Sequence, residues 1–211
     1  MKALLRILLL TIISIFAVVI IWKTCRPKNN FANPSVINAE RKVFTEEETK
    51  ILNLELGMGK SEVERILGKP HKTESFIEDA FGFEIIIYYY DFGSIRFEAI
   101  TEEHIVAEIT IDKPGFKGPR DIQVGEDIAD AIKKFPYNEN SERKDGYRYL
   151  YGTEADAEYG YITYDENNEV SLVTYVCNSN PESPEGSIIL SFETEKNKIA
   201  LIRIGKLYYS N

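Results

Sequence analysis

The first residues with a chemical pattern are Gly57-Met-Gly-Lys-Ser61, which match the end of a phosphate-binding loop. The complete loop needs another glycine five residues before Gly59, and Leu54 occupies that position. A related passage later in the chain, Gly125-Glu-Asp127, has an acidic residue in place of Lys60. The two passages share only a glycine and a residue suited to cap a helix, so they predict a turn before a helix and no nucleotide site.

Other residues that could do chemistry are scattered. His71 and His104 lie far apart in predicted loops, and no Ser or Cys has the surroundings of a hydrolase nucleophile. His104 beside two glutamates could touch a metal ion, but a solvated turn is the favoured interpretation. Asp165-Glu-Asn-Asn-Glu169 lacks the glycine of a calcium loop and favours a hairpin turn. We therefore predict no catalytic residue, no metal and no cofactor.

Tyrosines form the one pattern that indicates a binding surface. Tyr147, Tyr149 and Tyr151 alternate along one predicted strand, and Tyr159 with Tyr161 can lie opposite them. Tyrosine is enriched at protein interfaces because it buries a large area and keeps a hydroxyl group for hydrogen bonding. These five residues are the predicted binding residues. The alternative, which is slightly favoured, is that this face of the sheet packs on the second predicted helix.

The helices that would position these strands come from an internal repeat. Residues 56–70 align without a gap with residues 122–136, at an offset of 66 that matches Gly59 to Gly125. This alignment makes Ser61 and Asp127 the equivalent caps of two short helices, each ended by a proline. Each passage also carries an apolar stripe at helical spacing.

Strands are predicted after each helix from runs rich in aromatic and β-branched residues. The first helix is followed by strands at 83–90, 94–100 and 105–111, and the second by strands at 147–151, 158–164 and 170–177, then a hairpin of 187–195 with 199–205. The predicted fold class is therefore α+β: an N-terminal transmembrane helix, then two tandem units of one helix and an antiparallel meander, the second extended by a C-terminal β-hairpin. The predicted domains are an anchor at 1–28, a linker at 29–50, and repeats at 51–119 and 120–211.

The turn-helix pattern with its meander, repeated once, resembles the BLIP-like superfamily, which includes the SmpA/OmlA (BamE-like) envelope domains and the tandem-repeat β-lactamase inhibitory proteins. The resemblance covers residues 51 to 178 and rests on a short motif. It implies an extracytoplasmic module that binds another protein through a sheet surface. The final hairpin exceeds the family's plain repeat, and no residue signature of β-lactamase inhibition can be transferred to this chain.

The N-terminal segment predicts a membrane anchor. Residues 7–22 contain no charge, and the apolar stretch extends over residues 3–22 if Arg6 snorkels to the membrane interface, which makes it long enough to span a lipid bilayer. A cleaved signal would end in small residues, and a lipidated Cys25 would need apolar and small residues before it, whereas Trp22, Lys23 and Thr24 precede it here. The flanking charges oppose an external domain, but the resemblance favours one. We therefore expect a single-pass cell-membrane protein with an extracytoplasmic C-terminal domain.

The net charge of the chain limits the kinds of partner that it can bind. The chain of 211 residues has a net charge of -9, and five of its 25 basic residues precede the first acidic residue, Glu40. Because nucleic-acid binding depends on basic residues, nucleic acid is not an expected partner. The favoured function is a non-catalytic module for an unidentified envelope protein or extracellular ligand. An envelope hydrolase using carboxylates such as Asp156 and Glu158, or a structural assembly factor, are the alternatives.

Overall fold

A computed structural model of the protein describes residues 44–78, 82–99, 103–135, 143–144, 146–150, 160–177 and 187–207. Within these residues the chain forms one antiparallel sheet of ten strands. The strands are β1 (Lys72–Glu78), β2 (Phe83–Tyr90), β3 (Gly93–Ala99), β4 (His104–Ile111), β5 (Arg143–Lys144), β6 (Tyr147–Tyr149), β7 (Gly160–Tyr164), β8 (Val170–Cys177), β9 (Ser187–Glu195) and β10 (Lys198–Leu207). Their spatial order is β1-β2-β3-β4-β10-β9-β8-β7-β6-β5.

One face of this sheet carries the core. Side chains alternate along a strand, so directly paired residues on neighbouring strands share a face. Following the pairing from β2 to β8 gives an unbroken row of buried apolar and aromatic side chains: Tyr88, Ile95, Ile109, Ile204, Leu190 and Tyr175. These residues belong to a single hydrophobic cluster that spans both halves of the chain.

Two short helices cover the core face. Helix α1 (Lys60–Leu67) buries Val63, and its Glu64 carboxylate accepts a hydrogen bond from the Tyr88 hydroxyl at 2.7 Å. Helix α2 (Ile128–Lys133) buries Ile128 and Ala131. Just beyond α2, the Phe135 ring stacks on Tyr175 with a centroid distance of 4.1 Å. Both helices thus pack on the face that carries the apolar row.

The segments that lead into the two helices have the same backbone conformation at an offset of 68 residues. Left-handed φ angles occur in the pair Leu52 (55°) and Asn53 (63°) and again in the pair Arg120 (54°) and Asp121 (58°). The glycines that follow also match, with φ of 88° at Gly57 and 94° at Gly125. Such φ values favour glycine because a Cβ would be strained there.

The hydrogen bonds of the two turns confirm this offset. The Gly57 amide donates to the Val106 carbonyl on β4, and the Gly125 amide donates in the same way to the Ile199 carbonyl on β10, both at 2.8 Å. The predicted offset of 66, which equates Gly59 with Gly125, is therefore wrong by two residues. In the structure Gly59 is the N-cap of α1 and Asp127 is the N-cap of α2, while Ser61 lies inside α1.

The predicted fold class is wrong. The described chain is one continuous sheet with two short helices, and two helix-plus-meander units joined in tandem do not describe it. The reason lies in the C-terminal hairpin: it is central, because β10 pairs with β4 on one side and with β9 on the other. Sequence periodicity marks strands but does not say which distant strands pair. Strands β1 and β5 are present in the structure but were not predicted from the sequence.

The predicted transmembrane anchor and the single-pass cell-membrane location also need correction. Among the residues that the structure describes, no helix is long and apolar enough to cross a membrane. Residues 1–28, and with them the predicted span at 3–22, lie outside the described residues, as does most of the predicted linker at 29–50.

Candidate functional site

The sheet face opposite the helices carries a second row of paired residues, which we call the polar row. It runs across nine strands from β1 to β6 and consists of Lys72, Tyr89, Ser94, Thr110, Arg203, Ser191, Thr174, Tyr161 and Tyr149, each the direct cross-strand partner of the next. Every position in this row is polar or a tyrosine, whereas the row on the core face consists of aliphatic residues and the two tyrosines Tyr88 and Tyr175. Thr110, Ser191 and Thr174 of the polar row are buried, so only the remaining positions can contact a partner.

Charged side chains gather at the middle of the polar row. Arg203 on β10 donates from its guanidinium to Glu193 on the neighbouring strand, at 2.8 Å. Its Nε atom lies 3.5 Å from Glu108 on β4, on the other side. Two strands further, Arg96 pairs with Glu98 at 2.8 Å. Four strands, β3, β4, β10 and β9, thus build one charge cluster with two guanidinium groups and three carboxylates.

This charge cluster is not fully satisfied within the described residues. Glu98 is only 2% exposed, yet its Oε2 atom has no hydrogen-bond partner there. The buried Nε atoms of Arg96 and Arg203 also lack a hydrogen bond in the described part of the chain. Burial raises the pKa of Glu98, with the Arg96 charge opposing that shift and the Glu108 and Glu78 charges adding to it.

Hydroxyl groups connect this charge cluster to the tyrosine end of the row. Thr174 and Ser191 are buried, and their hydroxyl oxygens lie 3.3 Å apart. Further along, the hydroxyls of Thr163 and Ser171 lie 2.9 Å apart. Hydroxyl groups can donate or accept, so the buried Thr174 and Ser191 pair with each other within the sheet.

The structure brings together three of the five predicted tyrosines. Tyr149 pairs directly with Tyr161, and the rings of Tyr147 and Tyr161 meet edge to face at 6.3 Å. Tyr147 is 49% exposed. Tyr151 and Tyr159 lie outside the described residues.

The alternative, that this face packs on the second helix, does not fit the observed placement. Tyr175, on which Phe135 stacks, occupies the core face, whereas Tyr161 pairs with Thr174 and so shares the other face. The tyrosine cluster of β6 and β7 therefore lies on the face opposite α2.

Sequence reasoning missed the charge cluster. The alternation Ile202-Arg203-Ile204 and the run Ile95-Arg96-Phe97-Glu98 do show charged residues between apolar ones, which places them away from the core. The sequence pattern does not show that β4 and β10 are neighbours, and this pairing brings Glu108 next to Arg203. No local signal in the sequence contains that pairing.

The two histidines noted in the sequence lie at the starts of strands, His71 directly before β1 and His104 as the first residue of β4. The His71 Nε2 atom lies 2.8 Å from an Asp91 carboxylate oxygen, and the His104 Nε2 atom lies 3.0 Å from a Glu84 oxygen, in different places. The described residues contain no group of three or more His, Cys, Asp or Glu that could hold a metal ion. Lys60 begins α1.

Of the acidic residues noted in the sequence, Asp165 lies within the described residues. Asp165 accepts hydrogen bonds from the amides of Asn167 and Glu169, forming the predicted turn between β7 and β8. Asp156 and Glu158, the carboxylates named for a hydrolase, lie outside the described residues.

Comparison with known proteins adds little to this geometry. No protein-family model matches the chain, and no curated protein matches it. A crystal structure of an extracellular protein containing a SCP domain from Bacillus anthracis is similar with a TM-score of 0.40 and 15% sequence identity, over 81% of this chain and 50% of that one. The chain thus spans about half the length of that protein, and so weak a likeness supports no conclusion about fold or function. The resemblance to the BLIP-like superfamily stays a prediction.

Proposed function

We propose that this protein is a non-catalytic protein-binding module whose binding surface is the exposed part of the polar row, namely the tyrosines at its β6–β7 end and Arg203. The observation that carries the proposal is the contact between Tyr147 and Tyr161 on the face that the helices leave uncovered, with Tyr147 half exposed. Tyrosine and arginine are the residue types that most often dominate binding energy at protein interfaces.

The spacing of the exposed groups supports a protein partner over a small ligand. Tyr161 and Arg203 are three strands apart in the row, which corresponds to about 14 Å at the usual strand separation. Arg203 keeps about a third of its side chain exposed and Glu193 somewhat more. A partner that contacts both the tyrosines and the charge cluster must therefore present an extended surface of mixed polarity. The resemblance to the BLIP-like superfamily, whose members bind proteins through a sheet face, points the same way.

The test is site-specific photo-crosslinking of the full-length chain in the cells that produce it. A photoreactive residue replaces Tyr147 in one version and Ala129, which is exposed on α2 at the opposite face, in the control. We expect one discrete protein adduct from position 147 and none of the same mass from position 129. Tyr161→Ala, placed in the first version, should reduce that adduct at least about fivefold, the equivalent of about 1 kcal/mol.

Two results would contradict the proposal. The first is an adduct of the same mass and yield from both positions, which would show that the polar row is not the contact surface. The second is an undiminished adduct in the Tyr161→Ala version with an unchanged unfolding midpoint, which would remove the tyrosines from the interface.

A further inference from the structure

Strand β1 is an exposed edge of the sheet. The described sheet ends at β1 on one side and at β5 on the other, and β5 is only two residues long against seven in β1. Every residue of β1 is exposed or partly exposed, and no described strand pairs with its outer side. Backbone N–H and C=O groups of a strand point alternately to its two sides, so β1 offers a row of hydrogen-bonding groups to a further strand.

Apolar side chains of β1 favour such pairing. Phe76 is 47% exposed and Ile77 is 59% exposed, and as consecutive residues they lie on opposite faces of the sheet. Natural edge strands usually discourage pairing by being short or by carrying charged side chains, proline or a bulge. Of these devices β1 has only its charges, at Lys72, Glu74 and Glu78, and an added strand would cover its apolar side chains on both faces.

The charges of β1 select a second copy of the same strand. Antiparallel pairing about a two-fold axis at Ser75 places Lys72 of each copy opposite Glu78 of the other. It also places Glu74 opposite Phe76, so that the Phe76 rings of the two copies become diagonal neighbours, within reach of each other.

The neighbouring registers on the same face are unfavourable. An axis at Phe76 would set Glu74 of each copy against Glu78 of the other, and an axis at Glu74 would set two Glu74 carboxylates directly opposite. Like charges opposite each other destabilise a strand pair. Among residues directly opposite each other, the axis at Ser75 alone of these three gives two attractive charge pairs and no repulsive one.

We propose that two copies of this protein associate edge to edge, with β1 pairing antiparallel to β1 of the second copy about Ser75. The arrangement is isologous: each copy contributes the same strand, and the assembly closes at two. It joins two ten-stranded sheets into one, and of the polar row it involves only Lys72.

The test uses charge reversal at the two ends of the strand, in the full-length chain, with mass measured by sedimentation or light scattering in one fixed buffer. Lys72→Glu alone sets Glu against Glu78 twice, and Glu78→Lys alone sets Lys against Lys72 twice. We expect the wild-type protein to be a dimer and each single variant to dissociate at concentrations at least about tenfold higher.

The decisive measurement is the equimolar mixture of the two single variants. In a mixed dimer each introduced charge meets its opposite, so the mixture should recover the wild-type mass, and so should the double variant Lys72→Glu/Glu78→Lys. Lys133→Glu, a charge reversal at an exposed position of α2, is the matched control and should leave the dimer intact.

A wild-type protein that is monomeric throughout would overturn the proposal. So would single variants that associate as strongly as the wild type, because association through any other part of the chain would survive both substitutions. A Glu78→Lys variant that associates more strongly would indicate the register about Phe76 and would also refute the proposed pairing.

Discussion

Two substitutions near the starts of the helices test how the two segments that lead into the helices align with each other. These segments align at an offset of 68 residues in the structure, whereas an offset of 66 was predicted. In the structure the Asp127 carboxylate accepts a hydrogen bond from the Ala129 amide at 3.0 Å and so caps α2. The cap of α1 is Gly59, which makes no side-chain bond, and Ser61 is an exposed residue within the helix. We therefore expect Asp127→Ala and Ser61→Ala to change stability in opposite directions.

The magnitudes follow from the contacts at each position. Asp127→Ala removes an N-cap acceptor, which costs about 1 kcal/mol of unfolding free energy, with a range of about 0.5–2 kcal/mol. The Lys198 ammonium lies 3.5 Å from the Asp127 carboxylate, but this pair is exposed and adds little. Ser61→Ala replaces a moderate helix former with the best one and should stabilise by up to about 0.5 kcal/mol. The chain already has alanine, Ala129, at the position equivalent to Ser61.

The assay is urea unfolding followed by tyrosine fluorescence, with a thermal scan beside it. For a chain of this size, 1 kcal/mol corresponds to about 2–4 °C in the unfolding midpoint. Asp127→Asn keeps a capping oxygen and serves as the matched control, with a loss well below that of Asp127→Ala. If Ser61→Ala destabilises the protein as much as Asp127→Ala does, then Ser61 is a cap and the equivalence of 68 residues is refuted.

Three further substitutions test the core and the buried charges. Phe135→Ala should lower the free energy of unfolding by about 3–5 kcal/mol in urea titrations, because the ring is 1% exposed and stacks on Tyr175; a loss below 1 kcal/mol would contradict this packing. Burial raises the pKa of Glu98, so the stability that this carboxyl group contributes should decline as pH rises above about 4.5, and Glu98→Gln should remove that contribution from the pH profile; identical pH profiles would refute the shift. Burial acts to raise the pKa of Glu48, but hydrogen bonds from Arg120 and Thr45 outweigh burial, so this pKa is lowered. Glu48→Gln should therefore destabilise the protein at pH 7 and lose this effect as pH falls to about 3. Equal destabilisation by Glu48→Gln at both pH values would show that its charge is not involved.

The ion pair of Glu48 with Arg120 shows why part of the fold could not be predicted. The two side chains meet at 2.6 Å although they are 72 residues apart, and the Arg120 guanidinium also lies over the Phe135 ring at 4.0 Å. The Arg120 backbone is left-handed, as is that of Asp121. Aspartate is enriched in this conformation, but arginine is not, so the sequence at Arg120 itself does not signal it.

The tyrosines show the opposite case. The alternation of Tyr147 and Tyr149 places them on one face of a strand, and Tyr161 was expected opposite them from the spacing of the two strands. The observed register pairs Tyr149 with Tyr161 and sets the rings of Tyr147 and Tyr161 in contact. The period of two along each strand predicts which tyrosines share a face, even though residues 150–159 separate the two strands.

The sequence by itself determined the glycine turns, the two helices that follow them and most strands, because these depend on backbone conformation and on periodicity within about ten residues. The tertiary structure alone decided that β10 lies between β4 and β9, which turned the expected pair of units into one sheet and assembled the charge cluster. It also decided that β1 is an outer strand. Pairing between distant strands depends on the packing of the whole core, and the alternation along any one strand is compatible with many neighbours.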